Sequence, residues 1–304
     1  MKIDTISIEN FRGINSDKLP TKKVNVIIGE NGSGKTSFLE AVFLFTLIKS
    51  SYSEEEKRDW LNHMFSSRGD ITSSILTLQE SSITINGETL KVRKEGRDRI
   101  EIELGDTKVY ISLRRSLLFS ESGIAGTFYL PQYEIESKGE NKEKFTPVYI
   151  TLYFDSYNIP ESITSMAKKR ARFEDLEILK DEVTGQFKLY KDNLPVYVMG
   201  RGILKKLLIE ASMSFADVVL VDEIEDSLHP DMLIQLTEKI NKSNSTFFFT
   251  THSNEVLKII YKKIGTADLN VIVLKDKRAK AYSESEDVKA IMEMENSLSW
   301  IKYA

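Results

Sequence analysis

Gly29-Glu30-Asn31-Gly32-Ser33-Gly34-Lys35-Thr36 reads G-x-x-x-x-G-K-T, the pattern of a loop that wraps phosphate groups. The β-rich run Val24-Asn25-Val26-Ile27-Ile28 leads into it, and a helical run from Ser37 to Ile48 leads out. This is the strand–loop–helix context the pattern needs. Glycines let the backbone curl so that successive N–H groups converge on an anion. The helix N-terminus adds its positive end. Lys35 is expected to reach the β- and γ-phosphates of a nucleotide, and the Thr36 hydroxyl to ligate Mg²⁺. The plainer alternative is a glycine-rich turn before a buried helix, and the flanking strand and helix argue against it.

Working outward, Lys2 to Glu9 alternates Ile3, Ile6 and Ile8 with polar residues and reads as a strand. Asn10-Phe11-Arg12-Gly13-Ile14 breaks it, and Arg12 is open to two readings, a nucleotide contact or a surface turn cation. The helix after Thr36 carries Phe38, Leu39, Val42, Phe43, Phe45 and Leu47, is apolar nearly all round, and is expected to be buried. Ser50 to Arg68 reads as a polar helix. Ile75–Leu78, Ser82–Ile85, Glu88–Lys94, Arg99–Leu104 and Lys108–Leu113 read as short strands, with hairpin breaks at Asn86-Gly87 and Gly105-Asp106. They predict an antiparallel β arm over about residues 70–115. Gln79 ends its first strand, either as a sensor of Mg²⁺ and γ-phosphate or as an exposed strand-end residue. Ser116 to Phe145 is Gly-, Ser- and charge-rich and reads as mobile. Val148 to Phe154 reads as a strand and Ile163 to Val183 as mostly helix. The cluster Lys168, Lys169, Arg170 and Arg172 suits phosphates of a nucleic acid, or a solvated face paired with Glu174, Asp175 and Glu177.

Two later strands point back to the loop. Val218-Val219-Leu220-Val221 ends in Asp222-Glu223, the mark of a buried parallel strand whose end meets a ligand. In that setting Asp222 is expected to hold Mg²⁺ and Glu223 to orient and deprotonate the attacking water. Thr246 to Thr250 forms a third apolar run ending in Thr251-His252-Ser253. A parallel strand there delivers His252 to the same edge, within reach of the γ-phosphate or the water.

Composition narrows the classes. The 304 residues carry a net charge of -4, are 41% hydrophobic and 29% charged, and include no cysteine. Disulfides, thiol catalysis and cysteine-bearing metal sites are excluded, and a uniformly basic nucleic-acid binder is not suggested. The opening Met1-Lys2-Ile3-Asp4 is not followed by a long apolar segment, so no signal peptide is expected. The longest apolar stretch, Phe38 to Ile48, is too short to span a bilayer. No membrane partner and a cytoplasmic location are the expectation.

Four stretches together resemble one family. Ile8-Glu9-Asn10-Phe11-Arg12, the phosphate loop, Asp222-Glu223-Ile224-Glu225-Asp226-Ser227-Leu228-His229-Pro230 and Thr251-His252-Ser253 are similar to the ABC-type ATPase heads of the SMC/RecF/OLD class. The Leu-His-Pro run is unlike transporter heads. The resemblance implies an α/β fold over residues 1–304, a single ABC-type P-loop head. It would have a mainly parallel core sheet flanked by helices, the antiparallel arm, and a helical lobe over about residues 155–215. It implies nucleotide contacts at Asn31, Gly32, Ser33, Gly34, Lys35, Thr36 and Ser37, metal ligation at Thr36 and Asp222 with Gln79 nearby, and catalysis by Glu223, His252 and Lys35. It also favours the nucleotide-contacting reading of Arg12. The family's Leu-Ser-Gly-Gly-Gln signature is degenerate here; Met199-Gly200-Arg201-Gly202-Ile203 is its best counterpart. Gly200 stands where serine is usual, leaving Gly200, Arg201 and Gly202 as contacts to a nucleotide held by a second copy.

The resulting expectation is an ATPase that takes Mg²⁺-ATP to ADP and phosphate and uses head-to-head dimerisation as a switch, in DNA maintenance or anti-phage defence. Two alternatives accompany it: a slow-hydrolysing dimerisation module serving a separate nuclease or toxin partner, and a direct DNA-binding repair clamp. Residues 253–304 show no acidic nuclease cluster, and no long heptad run occurs. Neither a Toprim domain nor a coiled coil is therefore expected.

Overall fold

The computed structural model describes residues 2–66, 74–75, 77–96, 99–120, 123–137, 145–151, 176–180, 187–191, 194–195 and 200–293. β1 (Thr5–Phe11) and β2 (Ile14–Pro20) form a hairpin whose turn places Arg12 and Gly13 at positive φ. β3 (Val24–Gly29) is buried at every position, as a parallel strand covered on both faces must be. Its polar member, Asn25, bonds the carbonyls of Lys22 and Phe247. α1 (Lys35–Lys49) is buried from Ser37 to Ile48, as its all-round apolar sequence predicts. α2 (Glu54–Ser66) docks on it through Trp60, whose ring meets Phe43 edge-on at 5.2 Å.

β4 (Ser81–Ile85), β5 (Glu88–Glu95), β6 (Arg99–Leu104), β7 (Thr107–Ser120) and β8 (Gly123–Ser137) form an antiparallel meander. Asn86 and Gly87 turn its first hairpin with φ of 52° and 86°, the positive-φ pair that a tight right-twisted hairpin requires. Two expectations need correction here. Ile75–Leu78 is not a strand: Ser74 and Ile75 lie in a helical turn, closed by Leu78 N–H to the Ile75 carbonyl and by the Thr77 hydroxyl to the Ser74 carbonyl. Side chains that bond local backbone compete with a ladder in this way. Residues 116–145 are not wholly a mobile linker either, because Gly123–Ser137 pairs along β7, with Val109 opposite Ile135 and Ile111 opposite Tyr133. Such apolar cross-strand pairs outweigh the scattered Gly and Ser.

β9 (Pro147–Ile150) follows. β10 (Leu176–Lys180), β11 (Phe187–Lys191) and β12 (Leu194–Pro195) make a separate three-stranded sheet. The helix expected through Val183 is thus a strand from Leu176 to Lys180. The cluster Lys168, Lys169, Arg170 and Arg172 and the residue Met199 lie outside the described residues. The chain continues as α3 (Arg201–Ser212), β13 (Val218–Val221), α4 (Pro230–Lys242), β14 (Thr246–Thr251), α5 (Asn254–Ile264), β15 (Leu269–Lys275), β16 (Arg278–Tyr282) and α6 (Ser285–Glu293).

Thirteen of the described strands form one sheet in the order β8-β7-β6-β5-β4-β1-β2-β16-β15-β3-β14-β13-β9. The core β15-β3-β14-β13-β9 is parallel, giving the α/β class expected. The arm is no separate layer, since β4 pairs with β1 and carries the core sheet onward. α4 buries Leu233, Leu236, Thr237 and Ile240, and α5 buries Val256, Leu257, Ile260 and Ile264. These are the single apolar stripes of helices packed on a sheet. Because β3, β14 and β13 are parallel neighbours, their carboxyl ends open on one edge. Among the described residues no helix is long and apolar enough to cross a membrane.

A candidate nucleotide site at the carboxyl edge of the sheet

At the end of β3 the chain turns through Gly32 (φ 78°) and Gly34 (φ 108°) into α1. A Cβ on Gly34 would meet the Ile14 side chain at 2.8 Å, so both its φ and its packing call for glycine. α1 has no side chain capping its N-terminus and no acid in its first turn. By contrast, α4 is capped by His229 with Asp231 in its first turn, and α5 by Ser253 with Glu255. With neither a capping side chain nor an acid of its own, the start of α1 suits an outside anion. Lys35 is buried, with Nζ donating to the carbonyls of Gly29 at 2.9 Å and Glu30 at 3.1 Å. Burial pulls its pKa below the usual lysine value, against the opposing charges of Glu223, Asp222 and Glu225. An open cleft of about 460 Å³ borders the loop, between Glu30–Ser33 and Leu274–Lys277.

Two strands along, at the end of β13, the acids meet the loop. The Thr36 hydroxyl donates to Asp222 Oδ2 at 2.8 Å, and the Thr250 hydroxyl to Asp222 Oδ1 at 2.6 Å. Thr250 Oγ1 in turn accepts the Glu223 N–H at 2.6 Å. Glu223 adopts φ 44°, a left-handed conformation that turns the chain sharply off β13. Burial pushes its carboxyl pKa up; His252 pulls it down, and Asp222 and Glu225 push it further up. His252 follows β14, with its backbone N–H on Glu225 Oε1 at 2.9 Å and its Nε2 3.5 Å from the same oxygen.

The signature counterpart opens α3. Gly200 (φ 102°) precedes it, no side chain caps it, no acid lies in its first turn, and Arg201 is exposed. Gly202 lies against the segment after the acids: a Cβ there would sit 2.1 Å from the Ser227 carbonyl oxygen. That separation excludes any side chain without moving the backbone.

The structure thus brings Lys35, Thr36, Asp222, Glu223 and His252 to one edge, with the 200–202 segment beside the chain that leaves it. Arg12 is placed differently from the nucleotide-contacting expectation. Its Nε pairs with the buried Glu40 of α1 at 2.9 Å, and its other nitrogens bond Thr77 and Ser74. Gln79 is exposed, in the segment joining that turn to β4. Sequence reasoning missed Thr250 and Lys205. Thr250 is a hydroxyl ending a phenylalanine run, a visible signal; Lys205 looks like any lysine on an amphipathic helix.

Residues 24–258 match the family model described as "AAA domain, putative AbiEii toxin, Type IV TA system". The DNA replication and repair protein RecF of Lactobacillus acidophilus is 30% identical over 122 residues, covering 40% of this chain and 31% of that protein. RecF of Idiomarina loihiensis is 49% identical over 45 residues, 14% of this chain and 13% of that protein. The chain spans less than a third of the length of these relatives. A solved SMC head bound to the C-winged helix domain of ScpA aligns at 14% identity over 95% of this chain and 100% of that one, with a TM-score of 0.48. Since the family match runs from the first residue of β3 into α5, across every strand end that carries the site, the chain belongs to this AAA-domain family.

Proposed function

We propose that the chain binds Mg²⁺-ATP, hydrolyses it to ADP and phosphate, and uses the nucleotide to close two copies head to head. The observation that carries this reading is the continuous chain of hydrogen bonds Thr36–Asp222–Thr250–Glu223. It locks the acid pair to the first turn of the phosphate-loop helix. In this reading the N–H groups of residues 31–37 and the Lys35 amine hold the triphosphate, the amine exchanging two neutral carbonyls for charged oxygens. Thr36 and Asp222 offer the hydroxyl and carboxylate oxygens that suit Mg²⁺. When bound, that cation supplies charge neutralisation across the β- and γ-phosphates. Glu223 takes the proton from the attacking water. Its raised pKa strengthens it as a base. His252 holds the water or the γ-phosphate.

The second uncapped, acid-free helix start, that of α3, supports the closed dimer: Gly200, Arg201 and Gly202 would meet the phosphates bound by the other copy. The RecF relatives, described as DNA replication and repair proteins, favour DNA as the downstream partner. The family's description, with its putative toxin of a type IV TA system, favours instead a switch working within a toxin–antitoxin pair. Multiple-turnover ATPase assays with and without DNA separate the two, DNA stimulation supporting the first. The core of the proposal is tested with Lys35→Ala and Glu223→Gln. Lys35→Ala is expected to lose nucleotide binding. Glu223→Gln is expected to bind ATP, hydrolyse it ~10²–10⁴-fold more slowly, and elute as an ATP-dependent dimer. Unchanged turnover in both variants rejects the assignment.

A further inference from the structure

Lys205 belongs to α3, yet its side chain ends in the acid-bearing edge. Its Nζ donates to the backbone carbonyls of Asp222 at 3.3 Å, Glu223 at 2.6 Å and Asp226 at 3.4 Å. The residue is buried, and three carbonyls match the three donors of an ammonium. These carbonyls line one side of the turn that carries Glu223. That turn is strained: a left-handed glutamate, φ 44°, persists only where its surroundings over-determine it. Three groups clamp its ends. Thr250 accepts the Glu223 N–H, while the Glu223 carbonyl accepts from Lys205 and from the Asp226 N–H at 2.8 Å. The same α3 begins at Gly200–Gly202, where Gly202 abuts the Ser227 carbonyl. The start of α3 and the turn after β13 are therefore in rigid contact at two points, one turn of helix apart.

We propose that Lys205 is a positioning residue for hydrolysis: by holding the Glu223 carbonyl it aims the Glu223 carboxylate, and it makes that aim depend on where α3 sits. The inference rests on Glu223 being the base. An α3 drawn toward a nucleotide at its N-terminus carries the Lys205 ammonium with it, and the Glu223 turn follows. Readiness to hydrolyse then reports the placement of α3.

The test compares Lys205→Met, which keeps most of the stem and removes the donors, in the full chain alone and combined with Glu223→Gln. Equilibrium ATP binding and single-turnover hydrolysis are both measured. The expected result is a loss of hydrolysis on the order of 10²-fold, the scale of a misplaced reacting group. ATP affinity should change by less than about threefold, and Lys205→Met should add nothing further in the Glu223→Gln background, because residues acting as one unit are non-additive. An unaffected Lys205→Met, or an equal loss in both backgrounds, overturns the assignment of Lys205 alone. Wild-type turnover in Glu223→Gln instead removes the base, and this proposal with it. Lys205→Gln, which retains an N–H donor, carries the same comparison should Lys205→Met lose its cooperative melting transition. If neither variant melts cooperatively, Lys205 is part of the scaffold and the proposal fails.

Discussion

Thr250 shows how much a single hydroxyl decides at this edge. It donates to Asp222 and accepts from the Glu223 N–H, both at 2.6 Å and with Thr250 fully buried. Thr250→Val keeps the shape and removes both bonds. Hydrogen bonds to charged groups are worth about 1.5–3 kcal/mol, so hydrolysis is expected to fall roughly 10–100-fold. The melting temperature should also drop, because a buried N–H loses its acceptor. Steady-state kinetics beside a thermal melt check this, and wild-type kcat in a folded variant contradicts it. Lys35, Thr36, Asp222 and Glu223 were legible in the sequence because phosphate and metal chemistry demands those residue types at fixed places next to strands. The Thr250 hydroxyl was visible at the end of its run, but its bonds and those of Lys205 were not, because they depend on register and packing. Val221 pairs with Phe249, which sets Thr250 beside the acids, and only the packing of α3 sends Lys205 to carbonyls far along the chain.

At the scale of elements, α1 ties the phosphate loop to the β1–β2 hairpin and the approach to β4. Its buried Glu40, a carboxylate within an apolar helix, is paired by Arg12 from the β1–β2 turn, and Arg12 also bonds Ser74 and Thr77 ahead of β4. One guanidinium thus joins the core hairpin, the phosphate-loop helix and the entry to the β arm. Removing one partner of a buried pair typically costs about 3–5 kcal/mol. Arg12→Leu is accordingly expected to lower the urea midpoint strongly, and Glu40→Leu added to it should recover part of the loss. A variant of wild-type stability that binds ATP weakly would return Arg12 to the nucleotide. The elements themselves were legible where one pattern dominated: the apolar runs of β3, β13 and β14, the alternation of β5 and β6, the all-round apolar α1. They were not legible where composition and pattern disagreed. Gly- and Ser-bearing 123–137 pairs as a strand because its partner supplies an apolar face, and Leu176–Lys180 alternates as a strand within a charge-rich stretch.

For the whole molecule, the two uncapped helix starts carry the argument. The start of α1 belongs to the chain's own phosphate loop. The start of α3 has the same character and carries the exposed Arg201. If each site combines Lys35 of one copy with Gly200, Arg201 and Gly202 of the other, lesions in the two places should complement. Lys35→Ala removes the phosphate lysine. Arg201→Glu sets a carboxylate against a triphosphate, which like-charge repulsion disfavours. Each variant alone forms dimers with two damaged sites and is expected to be inactive. In a mixed dimer one site carries both lesions and the other carries neither, so mixing the two inactive proteins should restore ATPase activity. With random pairing, half the dimers are mixed and each has one intact site, so roughly a quarter of the wild-type rate is the ceiling if sites act independently. Mixed dimers that are shown to form, by differently tagged chains copurifying with ATP, yet stay inactive would place the Arg201 contact within its own chain or require both sites to act together. Full activity of Arg201→Glu alone would reduce the 200–202 segment to the turn that starts α3.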